Sequence, residues 1–135
     1  MKWLCRNLYR KEKGFTLVEL MVVIIILAVL TGIAIPSYMA LRNRARTAAA
    51  QSEMKNIATA LEVYQSDNET YPAVATWDTD LENGGYMDPV PGEDPWGVVG
   101  GYVYTSTDIT QTYTLTCASA NPDVVITDGQ LVPQS

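Results

Sequence analysis

The sequence predicts an α+β chain in which one long N-terminal α-helix, apolar in its first half, packs by its second half against a small C-terminal antiparallel β-sheet. Three observations carry this expectation. Residues 20–41 hold no charged side chain. Ala50, Met54, Ile57, Leu61 and Tyr64 then recur at steps of three or four, which is one apolar stripe on a helix. The last third of the chain alternates apolar residues with Thr, the pattern of half-buried strands.

The charge distribution frames the first element. Residues 1–14 carry Lys2, Arg6, Arg10, Lys11 and Lys13 against Glu12. The rest of the chain has Arg42, Arg44, Arg46 and Lys55 against 14 acids, within a formal net charge of −6. No Lys or Arg follows Lys55, so the distal 80 residues cannot neutralise a phosphate backbone and direct nucleic-acid binding is not expected. The chain contains no His, which removes the commonest neutral-pH acid/base and the commonest zinc ligand. With no paired nucleophile and base, it does not read as an enzyme. Cys5 and Cys117 lie on opposite sides of the apolar run, and Cys117 reads as a buried small hydrophobe.

The 22 uncharged residues make about 33 Å of helix, enough for a hydrocarbon core of about 30 Å. Twelve of them are Leu, Ile or Val, so the span inserts without help. The basic N-terminal segment is expected in the cytoplasm and the acidic part across the membrane, as a single-pass protein. Glu19 at the edge of the span is costly to desolvate and needs a nearby cation or an interfacial position. Pro36, with Gly32 one turn before it, loosens the helix locally.

Past Arg42 the helix becomes amphipathic, with the Ala-rich residues 45–50 favouring it by propensity. The pattern fades near residue 66 and Pro72 forbids continuation, so the helix is expected from about residue 15 to about residue 66. Residues 73–97 read as an irregular connection rich in Gly, Pro and acids, with Trp96 expected to plug the seam between helix and sheet. Tyr102 and Tyr104, residues 113–117, residues 124–126 and residues 130–132 give three to four short strands. Asp128-Gly129 is a strong hairpin signal between the last two.

The run Lys13-Gly14-Phe15-Thr16-Leu17-Val18-Glu19, followed by the apolar stretch with Pro36 inside it, resembles the class III signal of type IV pilins and type II secretion pseudopilins. Asp94-Pro95-Trp96-Gly97 is similar to a segment of the major pseudopilin, and Tyr71-Pro72 after the long helix is consistent with the family. The resemblance implies that a prepilin peptidase cuts between Gly14 and Phe15 and methylates the new amine of Phe15. Removing 14 residues leaves 121, with a side-chain charge of −10. It further implies three parts: a cleaved leader at 1–14, a membrane and filament-core helix at 15–41, and an amphipathic half with an acidic head at 42–135. Glu19, Thr16 and Pro36 are then assembly residues. The Phe15 amine pairs with Glu19 of its own chain or of a neighbouring subunit, and the stretch at Pro36 melts on assembly.

The implied partners are other copies of the chain in a helical homopolymer, the prepilin peptidase, and an inner-membrane assembly platform with its ATPase. The implied destination is an extracellular pilus or a periplasmic pseudopilus. The chain departs from many pilins in that a lone Cys117 cannot close a C-terminal disulfide loop. No cofactor is expected, although Asp123 and Asp128, with Asp108 and Asn121, offer some of the oxygens that calcium prefers. The first reading is a type IV pilus-like subunit; the alternatives are the major pseudopilin of a type II secretion system and a minor pilin acting as a binding module. An exposed aromatic patch among Trp77, Tyr86 and Tyr102 would favour the last.

Overall fold

A computed structural model describes residues 14–133. The leader expected at 1–14, apart from Gly14, lies outside these residues, and Cys5 lies outside with it. Helix α1 spans Leu17–Asn68, with Pro36 inside it. The chain divides into two compact units, Met1–Tyr38 and Met39–Ser135, at a boundary two residues past Pro36.

In the first unit α1 carries no buried side chain. Its apolar window has a mean hydropathy of 2.9, making it long and apolar enough to cross a membrane. Pro36 cannot donate a backbone bond. The hydroxyls of Thr31 and Ser37 donate back to the carbonyls of Leu27, at 2.7 Å, and Ile33, at 3.2 Å. These local bonds keep polar side chains satisfied without water, as an apolar surround requires.

In the second unit the rest of α1 buries Ala50, Met54, Ile57, Ala58, Ala60 and Leu61. That is the expected stripe, with Tyr64 half-buried and packed against the same core. Each large aliphatic side chain so buried contributes roughly 1.5–3 kcal/mol. The helix runs two residues further than expected and ends where Glu69 takes a left-handed φ of 61°. Pro72 then prevents its resumption.

The connection at 73–97, expected to be irregular throughout, contains a second helix, α2, at Trp77–Asn83. It buries Leu81 alone, and seven residues are too few for a periodic pattern to stand out. Four strands follow: β1 Tyr102–Asp108, β2 Thr112–Cys117, β3 Val124–Thr127 and β4 Gln130–Leu131. They form an antiparallel meander in chain order. Tyr102, Tyr104, Tyr113, Leu115, Cys117, Val124 and Ile126 point into the core and alternate with Thr and Val outside it. Thr127 pairs with Gln130 across Asp128-Gly129, whose φ values of 48° and 75° are those of a type I′ turn.

Candidate functional site

Gly14, Phe15 and Thr16 precede the helix outside any regular element, and Phe15 is 80 % exposed. The backbone N–H of Glu19 donates to the Thr16 hydroxyl at 3.2 Å, and the N–H of Leu20 donates to the Thr16 carbonyl at 3.2 Å. Thr16 is therefore the N-cap of α1 and Glu19 its third helical residue, the spacing of a capping box. A helix start at Leu17 leaves Phe15 outside the first turn, so the helix does not set Phe15 and Glu19 one turn apart within a chain. The Gly14–Phe15 bond stands in an accessible strand of backbone immediately ahead of this cap. The Thr16-x-x-Glu19 spacing is the signal in the sequence for this cap.

The head holds a second polar arrangement that sequence reasoning missed. Within Asp94-Pro95-Trp96-Gly97 the buried member is Asp94, at 4 % exposure, whereas Trp96, expected as the plug, is half-buried against the core. Asp94 Oδ1 accepts the N–H groups of Trp96 at 2.9 Å and Val98 at 3.0 Å. The Cys117 thiol lies 3.9 Å from Oδ2. Burial pushes the Asp94 carboxyl up, but the Ser119 hydroxyl, the Val98 and Trp96 amides and the Cys117 thiol together hold it below its ordinary value. Cys117 is a free, buried thiol, pushed up by burial and further by Asp94, which makes it a packing residue. The signal for Asp94 was its own type: Asp accepts the backbone N–H two residues on and so organises a loop.

A second link ties helix to sheet: the hydroxyl of buried Tyr102 on β1 donates to the carboxylate of Glu53 on α1. The Tyr104 hydroxyl donates to the Pro72 carbonyl at 3.0 Å. Trp77 stacks on Tyr104 at 5.6 Å, while Tyr86 meets Tyr64 edge-on at 5.2 Å. The exposed aromatic patch of Trp77, Tyr86 and Tyr102 that would favour a binding module is not formed: Tyr102 is core, and the other two are half-buried in separate contacts.

The weak calcium candidates stand apart. Asp128 Oδ1 accepts the backbone N–H of Tyr113 at 3.0 Å and lines a cavity with Lys55 and Glu62, whereas Asp123 lines another with Thr47 and Gln51. Asp108 caps the β1–β2 turn by accepting from Thr110. No group of three or more Cys, Asp or Glu among the described residues is placed to hold a metal ion.

A family model described as the prokaryotic N-terminal methylation motif matches residues 9–35. One described as type II secretion system protein G matches residues 37–124. The type II secretion system core protein G of Pseudomonas aeruginosa is 33% identical, over 65% of this chain and 70% of its own length. That of Vibrio cholerae is 35% identical, over 65% of this chain and 68% of its own length. The type IV wide pilus major component PilA4 of Thermus thermophilus is 40% identical over 46% of this chain and 47% of its own length. No solved structure matches.

Proposed function

We propose, for a chain that belongs to the type II secretion system protein G family, that it is the repeating subunit of a pseudopilus serving secretion. The chain is a structural subunit of the pilin and pseudopilin kind, carrying the methylation motif of such subunits, and such subunits are processed by a peptidase and form filaments. The observation that carries the filament-subunit reading is the exposed apolar half of α1, set directly behind the Gly14–Phe15 bond and the Thr16 cap; the match of residues 37–124 to protein G supports the pseudopilus over the pilus. In water such a surface is untenable; in a bilayer, and then in a bundle of like helices, it is fully satisfied.

In this reading the basic leader stays in the cytoplasm, the peptidase cuts after Gly14 on that face, and the Phe15 amine is methylated. The acidic head is exported. An inner-membrane platform and its ATPase then lift each subunit into the filament, with Glu19 receiving a neighbour's Phe15 amine. Polymerisation is the activity, and the head performs no catalysis and uses no cofactor. The match to a wide-pilus component supports a second reading, a surface pilus built from the same subunit.

Deleting the chain in its own host separates the two. Loss of protein secretion with accumulation of cargo in the periplasm supports the pseudopilus. Intact secretion with loss of long surface fibres supports the pilus and overturns the first reading.

A further inference from the structure

Among the described residues the cations are Arg42, Arg44, Arg46 and Lys55, and residues 56–133 carry 12 acids without one compensating charge. None of these cations has a carboxylate oxygen within 4.0 Å among the described residues. Residues 38–50 contain no acid, so no helical neighbour three or four positions from Arg42, Arg44 or Arg46 offers a partner. Arg42 and Arg46 continue the row that reaches buried Ala50, and Arg46 is itself half-buried. Arg44 projects about 200° away from that row and is exposed, so it turns from its own sheet.

The head offers a receptor for such a group. A groove of about 380 Å³ between α2 and the residues leading into β1 is lined by Trp77, Asp78, Glu82, Val90, Val99 and Tyr102, among others. Asp78 uses one carboxylate oxygen on the Thr79 N–H, and Glu82 uses one on the Val90 N–H, which leaves an oxygen free on each. Val99 is 78 % exposed on the opposite wall. An indole, two carboxylates and an apolar wall form the chemistry that an arginine needs: an aromatic face and anions for the guanidinium, and an apolar surface for its stem.

Resting on the filament reading above, we propose that this groove receives Arg44 of a second copy of the chain, joining the basic band of one subunit to the acidic head of another. The contact is heterologous, so it repeats along a polymer rather than closing a dimer. It also offsets part of the repulsion between acidic heads packed side by side, since each receives a cation from a neighbour's helix.

The test uses full-length chains, co-expressed in pairs in the host. One carries Arg44→Cys and the other Asp78→Cys; Cys117 is buried and leaves no competing surface thiol in the head. Treating isolated filaments with a short bis-maleimide, whose span replaces the length of the arginine side chain, should give a covalent dimer containing one chain of each kind, and assembled filaments without it overturn the proposal while leaving the filament reading intact. In a second arm Arg44→Glu should lower filament yield by at least about tenfold, and Asp78→Lys in the same chain should restore it. Wild-type yield from Arg44→Glu alone, or failure confined to membrane retention, overturns the proposal, the latter by assigning Arg44 to lipid headgroups. Absence of filaments from the wild-type chain would instead overturn the filament reading itself.

Discussion

The carboxylate of Asp94 lies against the α-carbon of Gly101: a β-carbon built on Gly101 falls 2.6 Å from Asp94 Cγ. The pair closes a loop in which Gly100 N–H reaches the Gly92 carbonyl at 2.9 Å and Gly101 N–H reaches the Val98 carbonyl at 3.1 Å. The wall of the groove formed by Gly92, Val99 and Gly100 therefore depends on one buried acid and one residue without a side chain.

Gly101→Ala should destabilise the head by about 2 kcal/mol, because the clash is with a carboxylate held from several directions and not with the free end of a flexible side chain. Asp94→Ala should cost about 2–4 kcal/mol, since it strands the Trp96 and Val98 amides in a buried place. Combining the two should cost less than the sum, because the alanine at 101 fits once the carboxylate is gone. Denaturant unfolding of the head would measure all three; strict additivity would show that the two residues act separately.

The acid limb of stability follows from the same carboxyl. Its value in the folded head is held below the ordinary 3.8, so its contribution is complete at neutral pH and is lost as the pH falls through that lowered range. Asp94→Asn should flatten the stability profile below about pH 4 while lowering its neutral plateau. At the other extreme, burial raises Tyr104 to about 12 and raises Tyr71, Tyr102 and Tyr113 as well, against an ordinary 10.0. Unfolded tyrosines ionise first, so stability should fall above about pH 10, with tyrosinate absorbance rising together with loss of the β-sheet signal.

How far such a head could be read from sequence depended on the range of the signal. The stripe from Ala50 to Leu61 and the Asp128-Gly129 turn were legible because each is fixed by neighbours within a few residues. Asp94 was not, since its burial is set by Gly101, Cys117 and Ser119, which approach it only after the sheet has formed. Trp96, read as a plug from its bulk, does pack half-buried against the core, while the fully buried member of the segment is Asp94. α2 escaped for the opposite reason: it is local, but it buries only Leu81 and so leaves no period to read.

Processing gives a direct readout at Gly14. Mass spectrometry of assembled material should find Phe15 as the first residue, carrying one added methyl group. Gly14→Leu should accumulate uncut precursor in the membrane, because a bulky side chain then stands at the cleaved bond. An assembled form that retains Lys13 or earlier residues would remove this account of maturation.

Glu19→Val separates insertion from assembly, and the structure sharpens the expectation. The cap of α1 uses the backbone N–H of Glu19 and the Thr16 hydroxyl, so valine at 19 leaves that bond in place. The 22 uncharged residues that follow are unchanged, so membrane insertion and cutting after Gly14 should stay near wild type. What valine removes is a carboxylate able to meet an ammonium. At about 4 Å and an effective dielectric of 20 that attraction is roughly 4 kcal/mol. Phe15 lies outside the first helical turn, so helical spacing does not supply this ammonium from the same chain, and the source proposed above is a neighbouring subunit. Filament yield should therefore collapse in Glu19→Val while cleaved subunit accumulates in the membrane. Thr16→Val is the companion variant: it removes the cap, costs about 1 kcal/mol at the helix start, and should leave assembly largely intact if the charge sets the register. Equal loss of filaments in both variants would assign the effect to the helix start, and wild-type filaments from Glu19→Val would show that apolar packing alone sets the register.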